Sequence, residues 1–217
     1  MKTSSLILVL AGMVAGLPAH AQQADGNWMV RLRATHTDMI NHSDEGMGLL
    51  TPADLPKDAI AADNKTIPEV DVTYFFNSSL AAELSLTVPQ KHDLDIVKGR
   101  LAEPIGSFKY MPTTLMLQYQ FNITDNILPY FGLGLTYSDF SSTDLTSTIG
   151  GGDLHLENES FGEAYQAGVD FRLPNNFFLN ADMTKRFIDT DVNVQQGKVS
   201  HIELNPLGLS LGIGKRF

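Results

Sequence analysis

The chain has 217 residues, a formal net charge of −10 and no cysteine. Acidity without a basic stripe argues against nucleic acid as a partner, and the lack of cysteine excludes a disulfide scaffold. The length suits one domain of sandwich or barrel size.

In chain order, residues 1–21 read first as a signal peptide. Lys2 supplies a positive start, residues 6–17 an apolar core, Pro18 a helix break, and Ala19-His20-Ala21 a small-residue cleavage site. The apolar run is shorter than the roughly 18–20 residues that a membrane-spanning helix needs. Cleavage after Ala21 leaves residues 22–217 as the mature domain, one positive charge poorer for the loss of Lys2.

Eight segments follow with the two-residue period of a β-strand, and none after residue 21 shows a helical period. The first, 27–35, sets Trp28, Val30, Leu32 and Ala34 against Met29, Arg31, Arg33 and Thr35. The second, 69–76, sets Val70, Val72, Tyr74 and Phe76 against Glu69, Asp71, Thr73 and Phe75. In the third, 80–88, Leu84, Leu86 and Val88 alternate with Glu83, Ser85 and Thr87; in the fourth, 113–121, Leu115, Leu117, Tyr119 and Phe121 alternate with Thr114, Met116, Gln118 and Gln120. The fifth, 130–138, separates Phe131, Leu133, Leu135 and Tyr137 by Gly132, Gly134 and Thr136. The sixth, 161–171, places Phe161, Tyr165, Val169 and Phe171 opposite Gly162, Gln166, Gly168 and Asp170, with Glu163 breaking the apolar face. The seventh, 177–186, opposes Phe177, Leu179 and Met183 to Asn180, Asp182, Thr184 and Arg186. The eighth runs from Leu207 through Leu209, Leu211 and Ile213 to the terminal Phe217.

The connections alternate in length. Short links at 77–79, 122–128 and 173–176 are rich in Asn, Asp and Pro, as turns require. Long polar links run roughly over 38–66, 90–106, 140–158 and 189–200. Both chain ends fall on the short side, the pattern of an up-and-down sheet of eight strands.

Alternation alone allows two inversions, a soluble barrel with its apolar face inside or an outer-membrane barrel with that face outside. Size decides between them. An eight-stranded barrel has an interior only just wide enough to be filled by side chains, and the polar faces carry small residues such as Gly132, Gly134, Gly168, Ala81, Ser210 and Gly212. Rows of Leu, Phe and Tyr suit hydrocarbon instead, and aromatics cluster at segment ends as they do at membrane interfaces. The expected fold is therefore all-β: an eight-stranded antiparallel up-and-down transmembrane β-barrel with three short periplasmic turns and four long extracellular loops. The expected location is the bacterial outer membrane, with outer-membrane lipids and lipopolysaccharide as surroundings.

The segments "VDVTYFFNSSLAAELSLTVPQKHD", "YMPTTLMLQYQF", "LPYFGLGLTYSDF", "QAGVDFRL", "FFLNADMTKRFIDTDV" and "LNPLGLSLGIGKRF" together resemble the outer membrane protein W (OmpW) family. The resemblance spans residues 27–217. It departs where Thr113 follows Pro112, where Asn205-Pro206-Leu207 stands for an Asp-Pro-Trp, and where Lys215 stands for a tyrosine. It implies a non-enzymatic eight-stranded barrel with a hydrophobic passage opening to the outside, associated with passive uptake of small hydrophobic solutes. The terminal Phe217 looks like the signal read by the outer-membrane insertion machinery, with Lys215 the one residue out of keeping.

Candidate site residues follow from parity. Arg31, Arg33, Glu69, Asp71, Glu83, Asp170, Asp182 and Arg186 fall on the inward face, either as a charged obstruction or as a mutually paired filling. Both readings predict poor ion conduction. A hydrophobic cargo then needs a sideways exit, and Pro89 and Pro112, each without a ladder donor, are the candidates on neighbouring strands three and four. Met29, Phe108 and Met116 are the candidate pocket-lining residues near the extracellular ends. His36, His42, His92 and His155 lack ligand spacing, so no metal or cofactor is expected.

The leading reading is a passive conduit for small hydrophobic molecules with lateral release into the bilayer. The alternative is a non-transporting surface receptor, adhesion or structural barrel that acts through its loops. A barrel enzyme is a third class; His92, Asp93, Ser107 and His155 are polar and at the loop end, but nothing orders them into a triad.

Overall fold

The computed structural model describes residues 26–39, 42–45, 54–100, 102, 104–145, 155–156, 159–194 and 197–217. The signal peptide and its cleavage site lie outside them. Among the described residues, fourteen strands run in chain order: β1 (Trp28–Asp38), β2 (His42–Ser43), β3 (Ile60–Ala62), β4 (Lys65–Phe75), β5 (Leu80–Thr87), β6 (Gln90–Ile96), β7 (Pro104–Gln120), β8 (Ile127–Leu145), β9 (His155–Leu156), β10 (Glu159–Arg172), β11 (Phe177–Arg186), β12 (Asp189–Val194), β13 (Gly197–Glu203) and β14 (Leu207–Arg216).

Eight of these are the staves of a closed cylinder, and each contains one of the alternating segments. Hydrogen-bonded neighbours run β1–β4–β5–β7–β8–β10–β11–β14, and β14 returns to β1, every pair antiparallel. The closing seam is continuous from Met29↔Arg216 to Asp38↔Leu207. A cylinder so closed leaves no strand edge, the condition for placing β-structure in hydrocarbon.

Short connections join β4 to β5, β7 to β8 and β10 to β11, with local chemistry to match. Asn77 Oδ1 accepts from the backbone N–H of Ser79 and of Leu80 at 2.9 and 2.8 Å. In the third turn, Asn175 and Asn176 take φ of 62° and 59°, a left-handed conformation that asparagine tolerates better than most residues.

Side-chain direction follows the alternation. Leu32, Leu133, Leu135 and Leu211 stand 58–70 % exposed on the outside, while Arg31, Asp71, Glu83 and Asp170 are fully buried inside. Aromatic rings mark both rims of the outer apolar band. Trp28, Tyr74 and Phe76 pack in a chain at the turn end, with centroids 4.8 and 5.3 Å apart, and Tyr137 and Phe161 pair at 4.9 Å at the other.

The long links differ from their reading as plain loops. They carry β2, β3, β6, β9, β12 and β13, and β7 and β8 extend to 17 and 19 residues. The tilted strand of a membrane barrel needs only about 9–11 residues to cross, so the staves project well past the lipid. A second, four-stranded sheet in the order β2-β13-β12-β9 stands at the same end. On β6 the alternation is inverted: His92, Leu94 and Ile96 are buried, while Lys91, Asp93 and Asp95 are exposed. Water rather than lipid surrounds that part, so the polar residues face out.

Leu211→Arg, near the middle of β14 on the lipid side, should lower unfolding free energy by about 2–4 kcal/mol. The inward neighbour change Ser210→Ala removes a single 2.8 Å contact with Thr35 and should cost about 1 kcal/mol. Urea titration of the barrel refolded into lipid vesicles measures both.

Candidate functional site

The interior is layered along the barrel axis. At the turn end, Met29, Phe75, Ala81, Leu128 and Phe178 form a buried apolar cluster. Arg216 closes it, its guanidinium 3.8 Å over the Phe75 ring and its Nε donating to the Gly26 carbonyl at 2.9 Å. Met29 is thus buried at the short-turn end, not at the long-loop end expected of a pocket-lining residue. Its inward parity is as expected, but β1 begins where both chain ends and the short turns meet.

Next along the axis lies a belt of charge. Cross-strand register puts Arg31 opposite Asp71 and Arg33 opposite Glu69, with Gly214 and Gly212 of β14 on the other side. Those glycines make room: a Cβ at Gly212 would stand 2.7 Å from Arg33 Cγ and 2.5 Å from the Leu32 carbonyl oxygen. Arg31 forks across the bore, its Nη1 donating to Glu83 at 2.6 Å and its Nη2 and Nε to Asp170 at 2.6 and 3.2 Å. Arg33 Nη1 lies 3.0 Å from Asp71 and 3.4 Å from Glu83, its Nε donates to Asn180 at 2.7 Å, and its Nη2 to Tyr130 at 3.0 Å. Tyr130 in turn donates to Asp182 at 2.7 Å. Arg186 reaches Glu69 at 3.2 Å and Thr114 at 3.1 Å.

All eight predicted inward charges meet in this network. Neutral residues complete it: Thr73, Gln118, Gln166 and Asn180 from the same inward faces, and Tyr130, which the alternation of its segment did not assign. The Arg31–Asp170 pair is bidentate and without solvent exposure, a geometry that holds both side chains in fixed positions. Met116 sits at its level, opposite Glu83 and Gly134, deeper than a lining position near the extracellular end.

Beyond the belt the interior becomes apolar again. Phe108, Tyr110, Phe140, Leu94, Ile96, Met39, Leu55, Ile188, Ile202 and Leu204 belong to one buried cluster. Phe108 therefore does lie in the outer half. His92 is buried against it, with ring centroids 5.7 Å from Phe108 and 5.8 Å from Tyr110. Its Nδ1 is 2.9 Å from the Asp63 carbonyl oxygen. Burial pushes the imidazole pKa below its usual value, and the Tyr110 hydroxyl up to about 12. Asp93 points to the opposite face of β6 from His92, so the two form no catalytic pair; the His155 side chain lies outside the described residues.

The two prolines flank a break in the wall. β5 pairs with β7 as far as Leu86↔Thr113, and β6 resumes the pairing at Gln90↔Tyr110. Residues 87–89 thus oppose 111–112, with one side-chain bond between them, Thr87 Oγ1 donating to the Pro112 carbonyl at 3.2 Å. Neither proline has an N–H with which to bridge the gap. Pro112 faces inward between the levels of Tyr110 and Thr114, while Pro89 is exposed.

At the chain end, Phe217 exchanges backbone hydrogen bonds with Trp28 at 2.7 and 3.2 Å, and its ring is exposed. Lys215 Nζ lies over the Phe177 and Phe217 rings at 5.0 and 5.5 Å, so its charge rests at the aromatic rim rather than in the apolar band. Among the described residues, no group of three or more His, Cys, Asp or Glu is arranged to hold a metal ion.

Replacing Arg31 by Met should cost about 3–5 kcal/mol, because Asp170 would be left buried without its cation and Glu83 would keep only the longer contact to Arg33. Equilibrium unfolding in lipid vesicles reads this out, and a loss under 1 kcal/mol would mean the belt is not electrostatically coupled.

Comparison with known proteins places this architecture. The model of the OmpW family matches residues 24–217. An uncharacterized outer-membrane protein y4mB of Sinorhizobium fredii is 30% identical over 185 residues, covering 83% of this chain and 71% of that one. Outer membrane protein W of Vibrio cholerae is 27% identical with both chains covered at 100%. The crystal structure of OprG from Pseudomonas aeruginosa superposes with a TM-score of 0.74 at 24% identity, over 91% of this chain and 99% of that one.

Proposed function

The chain belongs to the OmpW family, and from that membership we propose that it is a passive conduit for small hydrophobic molecules, which enter at the extracellular end and leave sideways into the bilayer. The family comprises non-enzymatic proteins of the bacterial outer membrane. The observation that carries the proposal is the order of the layers: an apolar cluster toward the outside, a fixed charged belt beneath it, and a ladder break at the level where the two meet.

The physical argument is one of relative costs. An apolar solute gains roughly 25 cal/mol for each Å² it removes from water, so the outer cluster is a favourable place to enter. Moving on through the belt would separate ion pairs in a water-poor setting, which costs several kcal/mol per charge. Passing between β5–β6 and β7 breaks no backbone hydrogen bond at 87–89 opposite 111–112, where the ladder is already interrupted. Lipopolysaccharide is the neighbour that a lateral route would bypass, and Phe217 the feature that the insertion machinery would meet.

A second reading, a surface receptor or adhesion barrel, draws support from the four-stranded sheet at the loop end and its polar cleft lined by His42, Asp44, Lys57 and His201. Uptake separates the two. Vesicles containing lipopolysaccharide and the protein should take up radiolabelled decane faster than vesicles without it, with no gain for a small sugar. The double variant Pro89→Val with Pro112→Val, which restores two ladder donors, should slow decane uptake by about tenfold, a barrier change of about 1.4 kcal/mol. Equal uptake by wild type and double variant removes the prolines from the route; equal uptake with and without protein favours the receptor.

A further inference from the structure

The outer cluster has polar atoms set into it. Among the described residues, three of them are buried without a hydrogen-bond partner: His92 Nε2, the Tyr110 hydroxyl and Ser138 Oγ. They lie on consecutive neighbours in the wall. His92 on β6 pairs across to Phe108 of β7, Tyr110 of β7 stands opposite Phe140 of β8, and Ser138 of β8 stands opposite Pro112. The Tyr110 hydroxyl and Ser138 lean toward one another without closing a hydrogen bond. Polar groups in an apolar interior are nearly always paired, so three together at the head of a hydrophobic cluster call for a reason.

We propose that these three side chains form a recognition site for an uncharged hydroxyl group, so that the conduit favours alcohols and phenols with an apolar body over plain hydrocarbons. The inference rests on the conduit reading and names the cargo class within it.

Hydrogen-bond inventory selects the hydroxyl. The Asp63 carbonyl oxygen, 2.9 Å from His92 Nδ1, is an acceptor only, so the ring proton sits on Nδ1. In the neutral ring that leaves Nε2 as a buried acceptor without a partner. Tyr110 and Ser138 each offer a hydroxyl that donates or accepts. The complement of one fixed acceptor and two hydroxyls is a group that donates once and accepts as well, which an alcohol does. A hydrocarbon satisfies none of the three. A carboxylate offers no donor to Nε2 and would lie near Glu69 of the belt, and an ammonium would bring an unpaired charge in among Phe108, Phe140 and Leu94, at a cost of several kcal/mol. Phe108, Phe140 and Leu94 supply the apolar surroundings for the rest of such a molecule.

The test uses the full-length mature barrel in lipid nanodiscs and three probes of one shape: naphthalene, 2-naphthol and 2-methoxynaphthalene. Equilibrium dialysis gives each affinity, corrected by nanodiscs without protein. We expect 2-naphthol to bind about tenfold more tightly than naphthalene, equivalent to about 1.4 kcal/mol, and the ether, which has no donor, to bind like naphthalene. Tyr110→Phe, which removes one oxygen and keeps the ring, and His92→Leu should each bring the naphthol-to-naphthalene ratio to within about twofold of unity. Equal binding of the three probes by wild type overturns the hydroxyl site and leaves the conduit standing, as does a ratio unchanged in both variants. No protein-dependent binding of any probe overturns both readings.

Discussion

The seam between β1 and β14 is the contact on which the rest depends. In hydrocarbon an unpaired backbone N–H or C=O costs several kcal/mol, and water is not there to relieve it. The last strand must therefore find the first. Once it does, from Met29↔Arg216 to Asp38↔Leu207, eight staves define a bore so narrow that side chains fill it. Small residues on the inner faces and long apolar ones on the outer faces are consequences of that closure, and so is the ordering of a chain terminus that would otherwise fray.

A filled bore has its own constraint, because whatever fills it must satisfy its neighbours. Arg31 and Arg33 lie side by side on the inner face of one strand, and their like charges would repel without the surrounding carboxylates. Glu83 bridges them, touching Arg31 at 2.6 Å and Arg33 at 3.4 Å, while Asp170, Asp71 and Asp182 take the remaining directions. Gly212 and Gly214 of β14 belong to the same solution, since they leave room for the side-chain stems of Arg33 and Arg31. The belt thus welds β1 to β4, β5, β10 and β11 across the lumen. Its rigidity suits a wall better than a pore.

That apolar layer exists because the surroundings change along the axis. Where lipid surrounds the staves, apolar side chains point out and polar ones in. Past the lipid, on β6 and the far ends of β7 and β8, the rule reverses and Leu94, Phe108 and Phe140 turn inward. The reversal creates an apolar interior layer directly above a charged one. Pro89 and Pro112 stand at this boundary, where the ladder is interrupted and β6 takes over from β5 as the partner of β7.

The eight staves, their antiparallel order and the lipid-facing side were legible in the sequence, because a period of two and a narrow bore leave little choice about which face is which. The eight inward charges were legible for the same reason, since parity is a local property of a strand. Height along the axis was not, because it depends on how far each strand is staggered against its neighbours. Met29 therefore proved to sit at the turn end and Met116 within the belt, although both face inward. Of the outer cluster and the His92 packed against it, only Phe108 was legible, because 90–106 reads as a loop and nothing local shows that its alternation inverts. Chain-local chemistry settles which way a side chain points; only the closed cylinder, with its register and its passage from lipid to water, decides what that side chain meets.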